Sequence, residues 1–183
     1  MKIYFATSNP VKFAEAKPHF DLAGLELEHH DTELVEMQTD DIEDLALDCV
    51  SQAYEEVEQP VFVEDAGMFI RALKDFPGVY SKQAYYTLGL DGILKLMEGV
   101  EDRYAEFRAV IAYTDGDEEK VFKGVCKGNI ASQVRGRDGF GFDPIFLPEG
   151  KNKTFAEDVE AKSNLSHRAL AMKQLVEYLK TKN

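Results

Sequence analysis

The chain has few cysteines, no long apolar run and a shortage of basic residues, and each absence excludes a class of protein. Cys49 and Cys126 are its only cysteines, far apart and without CxxC or His-rich spacing. We expect buried thiols in a reducing compartment and no zinc site. No stretch of about 18 apolar residues occurs, which excludes a membrane-spanning helix. The first residues reach a polar turn too soon for a signal peptide, so a cytoplasmic protein is expected.

The charge balance is strongly acidic. Lys and Arg number 21 against 34 Asp and Glu, a formal net charge of −13 over 183 residues. Nucleic-acid polymers and anionic membranes require a basic surface, so neither is an expected partner. A phosphate-bearing substrate remains possible where a few cations converge, and the carboxylates suit a divalent cation.

The pattern of apolar residues predicts one α/β domain over residues 1–183. No internal repeat, low-complexity tract or linker divides the chain, and 44% of its residues are apolar. Strands are predicted at Lys2–Ala6, 25–30, 61–63, 103–113 and 120–132. Helices are predicted at 10–18, 41–57, 67–74, 91–97 and 166–180. Asn9 is the expected cap of the first helix, and Asp40 with Glu43 resembles a capping box for the second. A mixed β-sheet flanked by helices follows.

The segment from Thr7 to Lys12 is the first candidate site. It joins a strand to a helix N-terminus, where backbone N–H groups and partial positive charge favour phosphate. Thr7, Ser8 and Asn9 add short hydrogen-bonding side chains, and Lys12 adds a full charge. The alternative is an ordinary helix cap with a solvated lysine. The pattern GxxxxGK[ST] of a Walker A loop is absent.

Carboxylates at a predicted strand end form the second candidate. Glu64 and Asp65 follow the strand 61–63, and ligands of α/β sheets gather at strand ends. Adjacent strand residues point to opposite faces, so one carboxylate is expected in the site and the other in a structural bond. Glu33 or Glu36 could add a further ligand for Mg²⁺. A simple turn before Gly67 is the alternative.

A glycine-rich loop forms the third candidate. It runs through Gly139, Phe140, Gly141, Phe142 and Asp143. An aromatic ring there could stack on a base, and the Asp could accept hydrogen bonds from a purine edge. The alternative is a tight turn, and one phenylalanine is expected to be a core residue.

Cations crowd the start of the last predicted helix and form the fourth candidate. Lys162, His167 and Arg168 lie where the helix dipole favours acidic residues instead. An anion bound at this position would resolve the conflict. Exposed cations on a frayed turn are the alternative.

Six segments resemble, in order, the motifs of the inosine triphosphate pyrophosphatase family. They are TSNPVKFAEAK, FVEDAGM, FPGVYSKQ, GFGFDPIFLPEG, TFAE and KSNLSHRALAMKQL, which extend from near the first residue to about residue 176. The resemblance implies an elongated mixed sheet flanked by helices, with two lobes and a nucleotide cleft between them. It also implies a homodimer and Mg²⁺-dependent hydrolysis of ITP, dITP and XTP to the monophosphate and pyrophosphate.

The resemblance assigns roles to individual positions. It implies metal ligands at Glu36 and Asp65, with Asp65 also the base that activates water. The implied substrate-binding residues are Thr7, Ser8, Asn9, Lys12, Ala66, Phe140, Gly141, Phe142, Asp143, Lys162, His167 and Arg168. In this reading Phe140 stacks on the base, while Asp143, His167 and Arg168 read its edge.

One departure from the family pattern and three alternative functions remain open. Some relatives carry a lysine where this chain has Asp48, and no lysine occurs between Lys17 and Lys74. The phosphate contact is then either omitted or supplied by another cation such as Lys82 or Arg71. The alternatives are a nucleotide sensor without turnover, a pyrophosphatase for modified pyrimidines or methylated nucleotides, and a deaminase. A deaminase of this kind would need zinc-ligand spacing, which the sequence lacks.

Overall fold

The computed structural model describes residues 2–182 and contains a mixed sheet with helices along it. The strands of this range are β1 Lys2–Ala6, β2 Glu26–His30, β3 Val61–Ile70, β4 Pro77–Gly78, β5 Tyr104–Thr114, β6 Glu119–Ile130 and β7 Phe146–Pro148. The α-helices are α1 Pro10–Ala23, α2 Ile42–Val57, α3 Ser81–Leu96, α4 Val159–Leu165 and α5 His167–Lys180. Within the described range no helix is long and apolar enough to cross a membrane.

The sheet has the strand order β2-β1-β3-β5-β6-β7, and β4 pairs with β3. β1 runs parallel to both β2 and β3, whereas β4 and β7 pair antiparallel with β3 and β6. The sheet is therefore mixed, as the sequence predicts. In the β1–β2 register Phe5 lies opposite His29, so the polar turn after β1 begins beside the end of β2.

The chain divides into two compact units, and the division falls inside β3, β5 and β6. The first unit contains residues up to Asp65, Ala109–Gly124 and the residues from Arg168 onward. The second contains Ala66–Arg108 and Val125–His167. Each unit has its own apolar core.

The core of the first unit lies between α2 and the sheet. Its buried residues are Ala6, Leu45, Ala46, Cys49, Val50, Ala53, Val61, Val63, Val110 and Ala112. Helix α1 packs on the sheet through Phe20, outside that cluster. The Phe20 ring stacks on Phe62 at 5.7 Å, and Phe62 stacks on Phe5 at 4.4 Å. These contacts hold the helix that follows the polar turn against β1 and β3.

The core of the second unit is rich in aromatic and sulfur-containing side chains. Its buried members include Met68, Ile70, Ile93, Met97, Phe107, Phe142, Phe146 and Phe155. Phe107 packs on Phe146 at a ring distance of 4.5 Å. The glycine-rich loop is thus anchored by a core that includes Phe142.

Most local predictions are confirmed. The strand Lys2–Ala6, the helix that starts at Pro10 after the Asn9 cap, and the hairpin of β5 and β6 all occur. The cap of α2 is a correction. Asp41, not Asp40, caps that helix, because its carboxylate accepts a hydrogen bond from the Glu43 backbone N–H at 2.8 Å.

The largest error concerns the third strand. The sequence predicts a strand that stops at residue 63 and a helix over 67–74, but β3 continues to Ile70 and only a single 3₁₀ turn follows. Met68 and Phe69 pair with β4, which extends the strand. A Cβ on Gly67 would lie 2.1 Å from the Gly78 carbonyl oxygen, so glycine permits this close approach. Glu64 and Asp65 therefore lie within a strand and not at its end.

Three helix boundaries also differ from the predictions. α1 continues through Pro18 to Ala23, and Phe20, beyond the proline, is fully buried. α3 begins at Ser81 instead of residue 91, and the non-helical backbone of Gly89 interrupts its periodicity. Lys162 lies in the separate helix α4 and does not head the last helix.

Candidate functional site

The polar turn before α1 is already hydrogen-bonded internally. The Asn9 side-chain oxygen accepts from the N–H groups of Val11 at 2.9 Å and Lys12 at 3.3 Å. The Thr7 hydroxyl oxygen accepts from the Asn9 N–H at 3.1 Å. The first-turn N–H groups are thus occupied by the cap, and Pro10 has none. An anion here would meet the Thr7 and Ser8 hydroxyls and the partial positive charge of the helix end.

His29 anchors this turn, and sequence reasoning missed it. Its Nε2 donates to the Thr7 carbonyl oxygen at 2.8 Å, and its ring stacks on Phe13 at 4.6 Å. The Thr7 N–H donates to the carbonyl oxygen of His30 at 3.0 Å. The turn is therefore held by β2 as well as by α1. The position of His29 at the end of the second predicted strand was the available signal.

A network of four charges surrounds the buried Glu64, the residue before Asp65 in the chain. The Lys12 ammonium is 2.7 Å from the Glu64 carbonyl oxygen and 3.0 Å from the Glu64 carboxylate. The Arg168 guanidinium donates to the same carboxylate at 3.1 Å and also pairs with Glu15. Two cations and two anions balance, and the Glu64 side chain is fully buried. All four residues belong to the first unit.

This network answers two questions raised by the sequence. Of the neighbouring carboxylates, Glu64 makes the structural ion pairs expected of one of the two. Asp65 is only half-buried, and its place in the site stays a prediction. The anions that offset Arg168 at the start of α5 include the protein's own Glu64 and Glu15. Burial by itself lowers the pKa of Arg168. The charges of these two carboxylates raise it by more, so the pKa of Arg168 is raised overall. Arg168 is therefore permanently charged.

The predicted metal ligands share one electrostatic environment. Burial, together with the negative charges of Asp65, Glu36 and Asp48, raises the pKa of the Cys49 thiol to about 12. The positive charge of Lys12 acts in the opposite direction. All four charged groups therefore lie within electrostatic range of one buried thiol. The structure brings Glu36 and Asp65 into the same region of the first unit as Lys12.

Gln52 fixes the irregular segment that carries Glu36. Its side-chain amide accepts from the Val35 N–H at 3.0 Å and donates to the Val35 carbonyl oxygen at 2.9 Å. It also donates to the Asp48 carboxylate at 2.8 Å. Asp48, which stands where some relatives have lysine, thus supports the segment beside Glu36. The sequence carried no signal for this role of Gln52.

Asp143 organises the glycine-rich loop in the second unit. Its buried carboxylate accepts from the Phe140 N–H at 2.6 Å and from the Lys162 ammonium at 2.7 Å. Gly139 has φ of +87°, and a Cβ there would lie 2.5 Å from the Asp143 carboxylate. Glycine is therefore required at this position both for backbone conformation and for space.

The two phenylalanines of the loop have different roles. Phe142 is 3% exposed and meets the Tyr85 ring edge-on at 5.5 Å, which confirms the expected core residue. Phe140 is 43% exposed, so its ring is accessible. His167 is buried and stacks on Phe107 at 4.8 Å with an interplanar angle of 13°. Phe140 is thus the aromatic face of this loop that a ligand can reach.

The predicted site residues fall into two groups. Thr7, Ser8, Asn9, Lys12, Glu36, Asp65 and Arg168 belong to the first unit. Ala66, Phe140, Gly141, Phe142, Asp143, Lys162 and His167 belong to the second. Of the cations suggested in place of a lysine at position 48, Arg71 donates twice to Asp102 at 2.8 Å, and Lys82 is exposed on α3.

Comparison with known proteins gives consistent results. The chain is 49% identical over 182 residues to a dITP/XTP pyrophosphatase of Pyrococcus horikoshii, covering 98% of this chain and 97% of the relative. It is 44% identical to a dITP/XTP pyrophosphatase of Saccharolobus solfataricus, covering 99% and 95%. The Ham1 protein structure of Staphylococcus aureus superposes with a TM-score of 0.86 at 28% identity, covering all of both chains. A HAM1 protein of Coxiella burnetii gives 0.88 at 27% identity, covering 99% of both. The family model described as the Ham1 family matches residues 3–178, and the chain belongs to this family.

Proposed function

We propose that this protein hydrolyses the deaminated purine nucleotides ITP, dITP and XTP to the monophosphate and pyrophosphate. The carrying observation is the arrangement around Asp65, whose half-buried carboxylate lies within electrostatic range of the Cys49 thiol, as does the Lys12 ammonium beside the polar turn. Relatives at 44–49% identity are named dITP/XTP pyrophosphatases, which supports the same substrates for this chain. Such an activity would remove damaged nucleotides from the pool, which suits a cytoplasmic enzyme.

The first unit would act on the triphosphate. Thr7 and Ser8 would hydrogen-bond phosphate oxygens, and Lys12 would supply positive charge. Asp65 would accept the proton of a water whose oxygen attacks the α-phosphorus. As the new P–O bond forms, the bond to the bridging oxygen breaks and pyrophosphate leaves.

The carboxylates of the first unit fit a magnesium ion. Glu36 and Asp65 both raise the Cys49 pKa, so two hard oxygen donors lie in one region. Among residues 2–182 no cluster of three or more His, Cys, Asp and Glu side chains is placed to hold a metal. A Mg²⁺ ion held by these two carboxylates would complete its shell with substrate phosphates and water. When bound, the ion would neutralise triphosphate charge.

The second unit would recognise the base. Phe140 has an accessible ring for stacking, and the buried Asp143–Lys162 pair offers an acceptor and a donor. Hypoxanthine and xanthine present a 6-keto acceptor and a protonated N1, whereas adenine presents the reverse pattern. Each unpaired buried group costs about 1–3 kcal/mol. Two such groups would reject adenine by roughly 10²–10⁴-fold.

Assembly and domain organisation are also part of the proposal. We expect the two units to work as one functional domain and the protein to form a homodimer. The candidate contact region is 76–83, where Phe76 and Tyr80 are each more than a third exposed. Size-exclusion chromatography with light scattering tests the dimer directly.

A pyrophosphate-release screen tests the proposed activity. Purified protein with Mg²⁺ should release pyrophosphate from ITP, dITP and XTP at least about tenfold faster than from ATP or GTP. Guanine shares the 6-keto pattern, so rejection of GTP must depend on its 2-amino group. Equal rates for all five nucleotides would contradict the selectivity. Binding without release would favour a nucleotide sensor instead. Omitting Mg²⁺ should abolish release.

A further inference from the structure

The charge network around Glu64 includes residues that have no role in the proposed hydrolysis. Asp65 and Lys12 have roles in the proposed hydrolysis. Glu64, Arg168 and Glu15 have none there, and they pair with one another inside the protein. Glu64 is fully buried, and its nearest cations are Lys12 on α1 and Arg168 on α5. These two helices are joined through one side chain of β3. A buried ion pair often adds little to the free energy of unfolding, so stability by itself does not account for this one.

We propose that Glu64 and Arg168 are positioning residues that hold the Lys12 ammonium for the substrate phosphates. This role rests on the proposed function and deepens it. Lys12 acts on the phosphates, Glu64 sets the place of Lys12, and Arg168 sets the place of Glu64. Arg168 then acts on the phosphates through Glu64.

The geometry at Lys12 supports the first step. A lysine ammonium is a point charge on a flexible stem with three donors in rotatable directions. Here one residue holds it in two ways: the Glu64 carbonyl oxygen accepts a hydrogen bond at 2.7 Å, and the Glu64 carboxylate forms an ion pair at 3.0 Å. The Lys12 side chain is 19% exposed, so it has little freedom to leave them. Holding the ammonium in advance reduces the ordering that phosphate binding must cause.

The pairing at Arg168 supports the second step. A carboxylate with no exposed surface needs a charge partner to stay ionised. Arg168 supplies a guanidinium that never deprotonates, 3.1 Å from Glu64, and Glu15 pairs with the same guanidinium. Glu15 is three residues after Lys12 on α1, so Arg168 also holds the helix that carries Lys12. The network therefore fixes both the side chain and its helix.

Kinetic comparison of four variants with the wild type tests this role. Glu64→Gln should lower kcat/KM for dITP by at least about tenfold, because Lys12 loses its anionic partner. The matched control is Asp21→Asn, which removes the exposed pair between Lys17 and Asp21 on the same helix. Exposed pairs contribute little, so the control should stay within about twofold of the wild type. In a Lys12→Gln background, Glu64→Gln should cause little further loss, since both changes remove the same effect. Additive losses would overturn the proposal.

A charge-balanced double variant separates positioning from folding. Glu64→Gln with Arg168→Gln removes one anion and one cation, so its melting temperature should exceed that of Glu64→Gln. Its kcat/KM should nevertheless stay at least about tenfold below the wild type, because Lys12 still lacks its partner. Recovery of activity together with stability would show a merely structural role and overturn the inference.

A binding measurement keeps the two proposals distinguishable. Calorimetry with inorganic tripolyphosphate should show weaker binding to Glu64→Gln than to the wild type or Asp21→Asn. A wild type that releases no pyrophosphate would refute the proposed function, and this binding difference would still decide the role of Glu64. Equal binding by all three proteins would refute the positioning role while leaving the pyrophosphatase activity standing.

Discussion

The Lys162 ammonium lies 2.7 Å from the Asp143 carboxylate, and both side chains are buried in the second unit. The same carboxylate accepts the Phe140 N–H, so one residue joins α4 to the glycine-rich loop. The exposed Phe140 ring therefore depends on a buried ion pair for its backbone position. Predictions for this loop follow from that dependence.

Asp143→Asn should impair both stability and base recognition. The change places a neutral amide beside the buried Lys162 ammonium, and breaking a buried ion pair by removing one partner costs about 3–5 kcal/mol. We expect a lower melting temperature and a loss in kcat/KM for dITP of at least about tenfold. Asp102→Asn, which breaks the exposed pair with Arg71 in the same unit, is the control and should behave as wild type. An Asp143 variant with unchanged kinetics would remove Asp143 from base recognition.

Gly139→Ala should displace the Phe140 loop. Its φ of +87° disfavours a side chain, and the new Cβ would meet the Asp143 carboxylate at 2.5 Å. We expect KM for dITP to rise by about tenfold, since the loop that presents Phe140 must shift. Gly150→Ala has a similar φ of +72° with nothing within 4 Å, so it carries the strain without the clash. Similar KM values for the two variants would mean that the clash is relieved without moving Phe140.

Asp65→Asn should nearly abolish turnover while nucleotide binding persists. The amide cannot accept the proton of an attacking water, and loss of a general base reduces the rate by about 10²–10⁴-fold. Pyrophosphate release and nucleotide calorimetry measure the two properties separately. Retained turnover would exclude Asp65 as the base.

Gln52→Ala should weaken metal dependence without touching a proposed ligand. Gln52 holds Val35 through two hydrogen bonds, and Glu36 is the next residue. Supporting residues of this kind affect metal affinity by about 10–100-fold. We expect a higher Mg²⁺ concentration for half-maximal pyrophosphate release, with little change in the rate at saturating Mg²⁺. Gln59→Ala, at an exposed glutamine that bonds only its neighbour among the contacts described, is the control. An unchanged Mg²⁺ requirement in Gln52→Ala would contradict the assignment of Glu36.

Lys182→Met should lower stability at neutral pH but not in acid. Lys182 pairs with Asp115 and Glu118 in the turn between β5 and β6. Burial by itself raises the pKa of Asp115, but hydrogen bonds, first of all with Lys182, lower it by more, so this pKa is lowered overall. Hydrogen bonds with Lys182 and Tyr178 lower the pKa of Glu118 to about 2. Depressed carboxyl pKa values stabilise the folded state above the unfolded values, and this contribution is lost as pH falls through the folded values. Melting temperatures of the two proteins should therefore differ at pH 7 and converge as the pH falls toward about 2. A constant difference across this range would contradict the assignment.

Local features of the fold could be predicted because short segments determine them. Asn9 caps α1 because its side chain reaches N–H groups two and three residues ahead. The hairpin between β5 and β6 forms around a turn whose residues are adjacent in the chain. The length of β3 could not be predicted, since it depends on pairing with β4 and on the space that Gly67 leaves for Gly78.

The sequence by itself determined the family and the kinds of groups in the candidate site, because ordered motifs carry both. The tertiary structure alone decided which charges meet. Glu64 and Arg168 are 104 positions apart, and their pairing requires β3 and α5 to come together in the first unit. The physical reason is that an ion pair depends on the distance between two side chains in space, and local sequence patterns do not contain that distance. Placement of Lys12 on Glu64, next to Asp65, is accordingly a property of the fold.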